Sequence, residues 1–263
     1  MDRQPDQNTA SLEELYAAYG RRVHGLAFRM TGDAEAARDI TQEVFLRVYR
    51  NLPRFRGESR IFTWIFAIAR NACARHLRRA RKTSFRSLAG LIDRAGEEPS
   101  PAAYAGMERE YYVRQVKDGC LLGLLRCLCF NQRIAFILYF LFDLPIDEIA
   151  AVVGKSANAA RLLAHRARVK IKSFLCANCS LYDASNPCRC EKLVSFSLKR
   201  NWIRRYDPAV APSRIEAEIK ALRDEVLLCK TIFAGDPGLD LRSVVLASAK
   251  TPGKLIFSRK KVK

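Results

Sequence analysis

Pro145-Ile146-Asp147-Glu148-Ile149-Ala150-Ala151-Val152-Val153-Gly154-Lys155-Ser156, running on into Ala157 to Lys172, reads as two helices joined by a sharp turn, a helix-turn-helix. Ala150 is small where two helices must cross closely, Gly154 can take the positive φ that the turn needs, and Ser156 can cap the second helix. That second helix carries Asn158, Arg161, His165, Arg166 and Arg168, with Lys170 and Lys172 beyond, and no acidic residue lies between Glu148 and Asp183. Asn and Arg near the start of such a helix can reach base edges, and later basic residues suit phosphates. An ordinary pair of core helices would share the turn, so the motif by itself points only to DNA.

Working outward toward the N-terminus, Leu15, Tyr16, Tyr19, Val23, Leu26 and Met30 recur at helical spacing until Thr31-Gly32-Asp33. Asp33 can cap a second helix with Ile40, Val44, Phe45 and Val48 inward, stopped by Pro53. A third, from about Ser59, turns Ile61, Ile65, Ile68 and Ala72 inward with Trp64 beside them, a core anchor by its neighbours. From Glu58 to Asp93 the charge is of one sign, with Arg60, Arg70, Arg75, Arg78, Arg79, Arg81, Lys82 and Arg86. A solvated face normally mixes signs, so this block favours nucleic-acid contact.

Whole-chain numbers agree. Lys plus Arg is 46 against 27 Asp plus Glu, a formal net charge of +19 over 263 residues, which suits a polyanionic partner. The polar start at Met1 has no secretory pattern, and the longest apolar run, Ile134 to Phe142, is too short to span a bilayer, so a cytoplasmic protein without membrane insertion is expected. The fold class expected is all-α: a flexible N-terminus over 1–10, a helical domain over 11–83, a linker over 84–105, a helix-turn-helix domain over 106–175 and a helical extension over 176–263.

Two separated segments resemble one family. Asp33 to Tyr49, with Phe55-Arg56-Gly57-Glu58-Ser59 and Phe62-Thr63-Trp64-Ile65-Phe66-Ala67-Ile68-Ala69-Arg70-Asn71, resembles region two of the extracytoplasmic-function (ECF) sigma factors of the sigma-70 family. Glu148-Ile149-Ala150, Gly154, Ser156 and His165-Arg166-Ala167-Arg168 look like region four of that family. The resemblance implies a non-enzymatic subunit that binds core RNA polymerase, recognises promoter DNA and helps open it. It implies that Asp39, Gln42 and Glu43 dock on the clamp helices of the polymerase largest subunit. It further implies minus-ten contacts from Arg54, Arg56, Ser59, Arg60, Arg70, Asn71, Arg75, Arg78 and Arg79, and minus-thirty-five contacts from Ser156, Asn158, Arg161, His165, Arg166 and Arg168. The recognition helix departs from the family in its Ala and Leu content, and Ala157 stands where an acidic residue often follows the capping serine, so the promoter sequence is not legible.

The tail adds Cys176-Ala177-Asn178-Cys179 and Cys188-Arg189-Cys190, part of a total of nine cysteines. Four thiols at this spacing make a candidate structural zinc site, with a redox-sensing group or unliganded cysteines as alternatives. No cofactor is otherwise required. Leu193, Phe196, Leu198 and Trp202 among basic residues suggest an amphipathic helix, and another is expected from Ser213 to Phe233. The extension could dock on the sigma core, bind DNA or receive a regulator, for which an anti-sigma factor is a candidate. Two competing functions are a stand-alone helix-turn-helix regulator, which would not need the Asp39, Gln42 and Glu43 surface, and a zinc or thiol enzyme, which lacks a histidine-carboxylate constellation.

Overall fold

The computed structural model describes residues 11–78, 84–96, 104–210 and 212–214. Among them the α-helices are α1 (Leu12–Thr31), α2 (Ala34–Asn51), α3 (Ile61–Leu77), α4 (Phe85–Gly96), α5 (Gly106–Cys127), α6 (Phe130–Phe136), α7 (Ile146–Val153), α8 (Ala157–Asn178) and α9 (Val194–Lys199). The described residues form no strand, and one isolated parallel bridge joins Cys179 to Cys188. The all-α expectation holds. None of the described helices is long and apolar enough to cross a membrane.

The chain divides into two compact units, one drawn from Met1–Lys82 with Leu128–Ala167 and the other from Thr83–Cys127 with Arg168–Lys263. In the first, α1 starts on a capping box in which the Ser11 hydroxyl accepts from the Glu14 N–H at 3.2 Å and the Glu14 carboxylate accepts from the Ser11 N–H at 2.9 Å. It ends at Gly32, whose φ of 74° allows the left-handed stop. Asp33 then caps α2 through the Ala36 N–H at 2.9 Å, as its position in the sequence predicts.

α1, α2 and α3 pack on one another, α6 reaches α1, and α7 lies against α3 and α6. Leu15, Val23, Leu26, Met30, Val44 and Ile65 fill the centre with no exposed surface. Tyr16 was expected inward but is 56% exposed, because Leu15 and Tyr19 take the core positions and its ring rests edge-on against Phe45 at 4.8 Å. Arg133 is buried, and its guanidinium donates to the Met30 carbonyl at 2.5 Å and to the Leu128 carbonyl at 3.2 Å. A cation on the carbonyl end of α1 meets the negative end of that helix dipole, which offsets the cost of burying the charge.

The second unit has its own core, in which Tyr111, Tyr112 and Val116 of α5 meet Val194, Leu198 and Ile203 of the tail. Gln115 holds the tail by donating to the Arg204 carbonyl at 3.1 Å and accepting from the Arg204 N–H at 2.7 Å. Tyr112 Oη accepts from the Tyr206 N–H at 3.0 Å, and Arg109 pairs with Glu191. Of the stretch read as a linker, residues 85–96 are α4. Its apolar Leu88, Leu91, Ile92 and Ala95 lie at helical spacing, and Ile92 and Ala95 are buried. The basic amphipathic segment is α-helical only over α9, entered from a 3-10 turn at Cys190–Leu193; Phe196 and Leu198 are buried, while Trp202, beyond the helix, is 58% exposed. Of the helix expected from Ser213 to Phe233 only its first residues are described, and the basic end at Lys260-Lys261-Val262-Lys263 lies outside the described residues.

Candidate nucleic-acid interface

The outward side of α2 carries Asp39, Gln42 and Glu43 among Arg38, Arg47 and Arg50, a mixed-charge face on a chain that is basic as a whole. Asp39 and Gln42 are exposed, and Glu43 is half-buried. Glu43 Oε1 accepts from Arg75 Nη2 at 2.7 Å and from Arg47 Nη2 at 2.8 Å, so this carboxylate ties α2 to the basic end of α3. Beside it, Leu46 is 49% and Tyr49 64% exposed. With Tyr16 and Phe45 they line an apolar groove between α1 and α2 that Arg38 and Gln42 edge. The sequence reading missed Leu46 and Tyr49; the available signal was two large apolar residues on the polar side of a helix whose stripe was already complete.

The loop before α3 turns at Gly57, with φ of 71°. Arg54, Arg56 and Arg60 are exposed on it and Ser59 is half-buried. Arg56 approaches Glu58 only to 4.0 Å, both largely in solvent, an ion pair of little energetic weight. Trp64 is half-buried with its ring 5.0 Å from that of Phe55, an anchor for the loop. On α3, Asn71 and Arg78 are exposed while Arg70 and Arg75 are half-buried, and Arg70 donates to the Asn71 carboxamide at 3.1 Å. Arg79 lies outside the described residues.

The turn between α7 and α8 has the expected geometry: Gly154 has φ of 67°, and the Ser156 hydroxyl accepts from the Ala159 N–H at 3.3 Å. Along α8, Ala160, Ala164, Ala167 and Ile171 form the buried stripe. Asn158 and Arg166 are exposed and Arg161, His165 and Arg168 partly so, with Arg161 donating to the Asn158 carboxamide at 2.8 Å.

The zinc expectation is overturned. Among the described residues no group of three or more His, Cys, Asp and Glu side chains is arranged to hold a metal ion. Cys176 is exposed on α8, while Cys179 and Cys188 are buried. The loop is closed instead by hydrogen bonds: Ser180 N–H to the Cys188 carbonyl at 3.1 Å, Cys188 N–H to the Asn178 carbonyl at 3.1 Å, and the Asn186 carboxamide to the carbonyls of Cys176 and Cys179 at 2.9 and 3.1 Å. Burial, reinforced by the neighbouring thiols, pushes Cys188 up to about 12 and Cys190 to about 11, the behaviour of protonated packing groups.

Comparison with known proteins agrees with this geometry. Residues 15–83 match sigma-70 region 2 and residues 118–171 match sigma-70 region 4. The RNA polymerase sigma factor CarQ of Myxococcus xanthus is 32% identical over 66% of this chain and 95% of its own length, and YlaC of Bacillus subtilis is 30% identical over 62% and 90%. The chain belongs to the ECF sigma factors of the sigma-70 family. It is therefore a non-catalytic subunit that binds core RNA polymerase and recognises promoters. A solved structure of the sigma factor RpoE with the anti-sigma factor NepR from Bartonella quintana is 18% identical, with a TM-score of 0.44 over 62% of this chain and 95% of that one. The region 4 match of this sigma factor stops at residue 171, so the tail that packs on α5 lies beyond it.

Proposed function

We propose that this sigma factor docks on the polymerase clamp helices through Asp39, Gln42 and Glu43, with Leu46 and Tyr49 as the apolar part of the same contact. The observation that carries the assignment is exposed Asp39 and Gln42 beside bare Leu46 and Tyr49 on one face of α2. Polar groups set register and apolar anchors supply the area that a stable interface needs. The exposed loop from Arg54 to Arg60 and the basic face of α3 then hold the opened minus-ten strand. Opening is driven by binding an extruded base, and no covalent bond changes. The N-terminal half of α8 reads the minus-thirty-five duplex, Asn158 and Arg161 at base edges and Arg166 and Arg168 on phosphates. Its place of action is the cytoplasm, and an anti-sigma partner would act by covering Asp39 and Gln42.

Asp39→Arg is the sharpest test, because Asp39 is exposed and, unlike Glu43, is not tied to Arg75 and Arg47. We expect it to weaken core-polymerase binding at least tenfold, about 1.4 kcal/mol, and to abolish promoter-specific run-off transcription while the thermal melting curve stays unchanged. Wild-type binding by the variant would remove Asp39 from the docking surface.

A further inference from the structure

We propose that Leu162, on the recognition helix α8, selects a thymine in the minus-thirty-five element by packing against the 5-methyl group of that base. The inference rests on the role just given to the N-terminal half of α8.

The position of Leu162 on the helix is the first observation. The buried stripe of α8 runs through Ala160, Ala164, Ala167 and Ile171. At about 3.6 residues per turn, Leu162 stands on the opposite side from that stripe. It is 45% exposed, whereas Ala160 and Ala164, two residues to either side, have no exposed surface. One turn before it is Asn158 and one turn after it Arg166, both exposed, and His165 lies partly exposed beside them. A large aliphatic side chain thus occupies the middle of the face whose other members are hydrogen-bonding and basic.

A leucine exposed singly on a protein surface needs no special cause. One at the centre of a face that enters the major groove does, because every group there meets a base edge or loses its water. Those edges present hydrogen-bond donors and acceptors, and the apolar group among them is the thymine methyl. Against any other base, Leu162 takes water from a polar group and returns no hydrogen bond. Against thymine, two apolar surfaces leave water together. The same side chain therefore rewards thymine and penalises its competitors at one base pair. Asn158 is suited to adenine through its carboxamide, and four residues advance a helix by about 6 Å. The thymine accordingly lies within about two base-pair steps of that adenine, at about 3.4 Å per step.

The test uses holoenzyme reconstituted from core polymerase and the full-length chain. Promoters are selected from a library randomised over the minus-thirty-five segment. In the best of them, each thymine of that segment is replaced in turn by deoxyuridine, which removes the methyl and keeps every hydrogen-bonding group. Loss of one packed methyl should weaken binding about fourfold at a single position. Holoenzyme carrying Leu162→Ala should show no such position, and its own selection should lose the thymine preference there and nowhere else. A selected segment without thymine, a uracil series with no sensitive position, or a sensitivity that persists in Leu162→Ala would overturn the proposal. The uracil series on the wild type changes nothing in the protein, so a folding defect in a variant cannot produce its result. Asn158→Ala and Arg161→Ala separate this inference from the reading beneath it. If they weaken binding to the same segment while uracil has no effect, Leu162 loses its role and the assignment of α8 survives. If neither they nor uracil change binding, the assignment of α8 falls as well.

Discussion

Cys73 sits in α3 with no exposed surface, and burial pushes its thiol from an ordinary value of 9.0 up to about 12. The folded protein thus holds the proton more tightly than the unfolded chain does. That stabilisation is complete below about pH 9 and is lost as the pH rises toward 12. Urea midpoints should therefore fall between pH 8 and pH 10. Cys73→Ala should start lower, having lost packing, but decline less steeply over the same interval. Cys188 and Cys190 move in the same direction, so the slope should shrink rather than vanish. An identical slope in the variant would show that Cys73 does not titrate with unfolding. Single residues with a local mechanism were legible in the sequence: Asp33, Gly154 and Ser156 each act within three residues of themselves, and each takes its expected role. Glu148 was legible only as a helical acid, since its partner Arg60 lies 88 positions away.

At the scale of elements, periodicity and capping located α1, α2, α3, α7 and α8, because each has an apolar stripe and a chemical start or stop. α4 was hidden because the Gly and Pro content of residues 96–101 coloured the whole stretch as linker, although Leu88, Leu91, Ile92 and Ala95 repeat helically. The zinc expectation failed for a related reason: spacing along the chain does not fix which way each thiol faces, and the loop closes through its backbone. The start of α8 offers a test that separates capping from DNA contact. Ser156→Ala removes the acceptor for the Ala159 N–H and should cost about 1 kcal/mol of stability. Ser156→Asp keeps a good cap at the positive end of the helix but adds a negative charge at the proposed duplex contact, where it would repel phosphates. Denaturation should show the Asp variant near wild type and the Ala variant weakened. Binding to a minus-thirty-five duplex should fall more for Asp than for Ala. The same rank order in both assays would mean that Ser156 acts through helix stability alone.

On the scale of the whole molecule, the tail beyond the region 4 match is part of a core. Tyr111, Tyr112 and Val116 of α5 are buried largely against Val194, Leu198, Ile203 and their neighbours, and Gln115 pairs with both backbone groups of Arg204. Removing residues 191–263 would bare that face of α5, including two tyrosine rings. Each large apolar side chain returned to water forfeits about 1.5–3 kcal/mol at most, and a domain is stable by only about 5–15 kcal/mol in total. The truncated chain should therefore lose amide-exchange protection across α5 and bind a hydrophobic dye, while α1 to α3, whose core is drawn from other residues, keep their protection. A tail that merely hung from α8 would leave exchange in α5 unchanged. Restoring only residues 191–210 should recover most of the protection, because Val194, Leu198, Ile203 and Tyr206 all fall within that span.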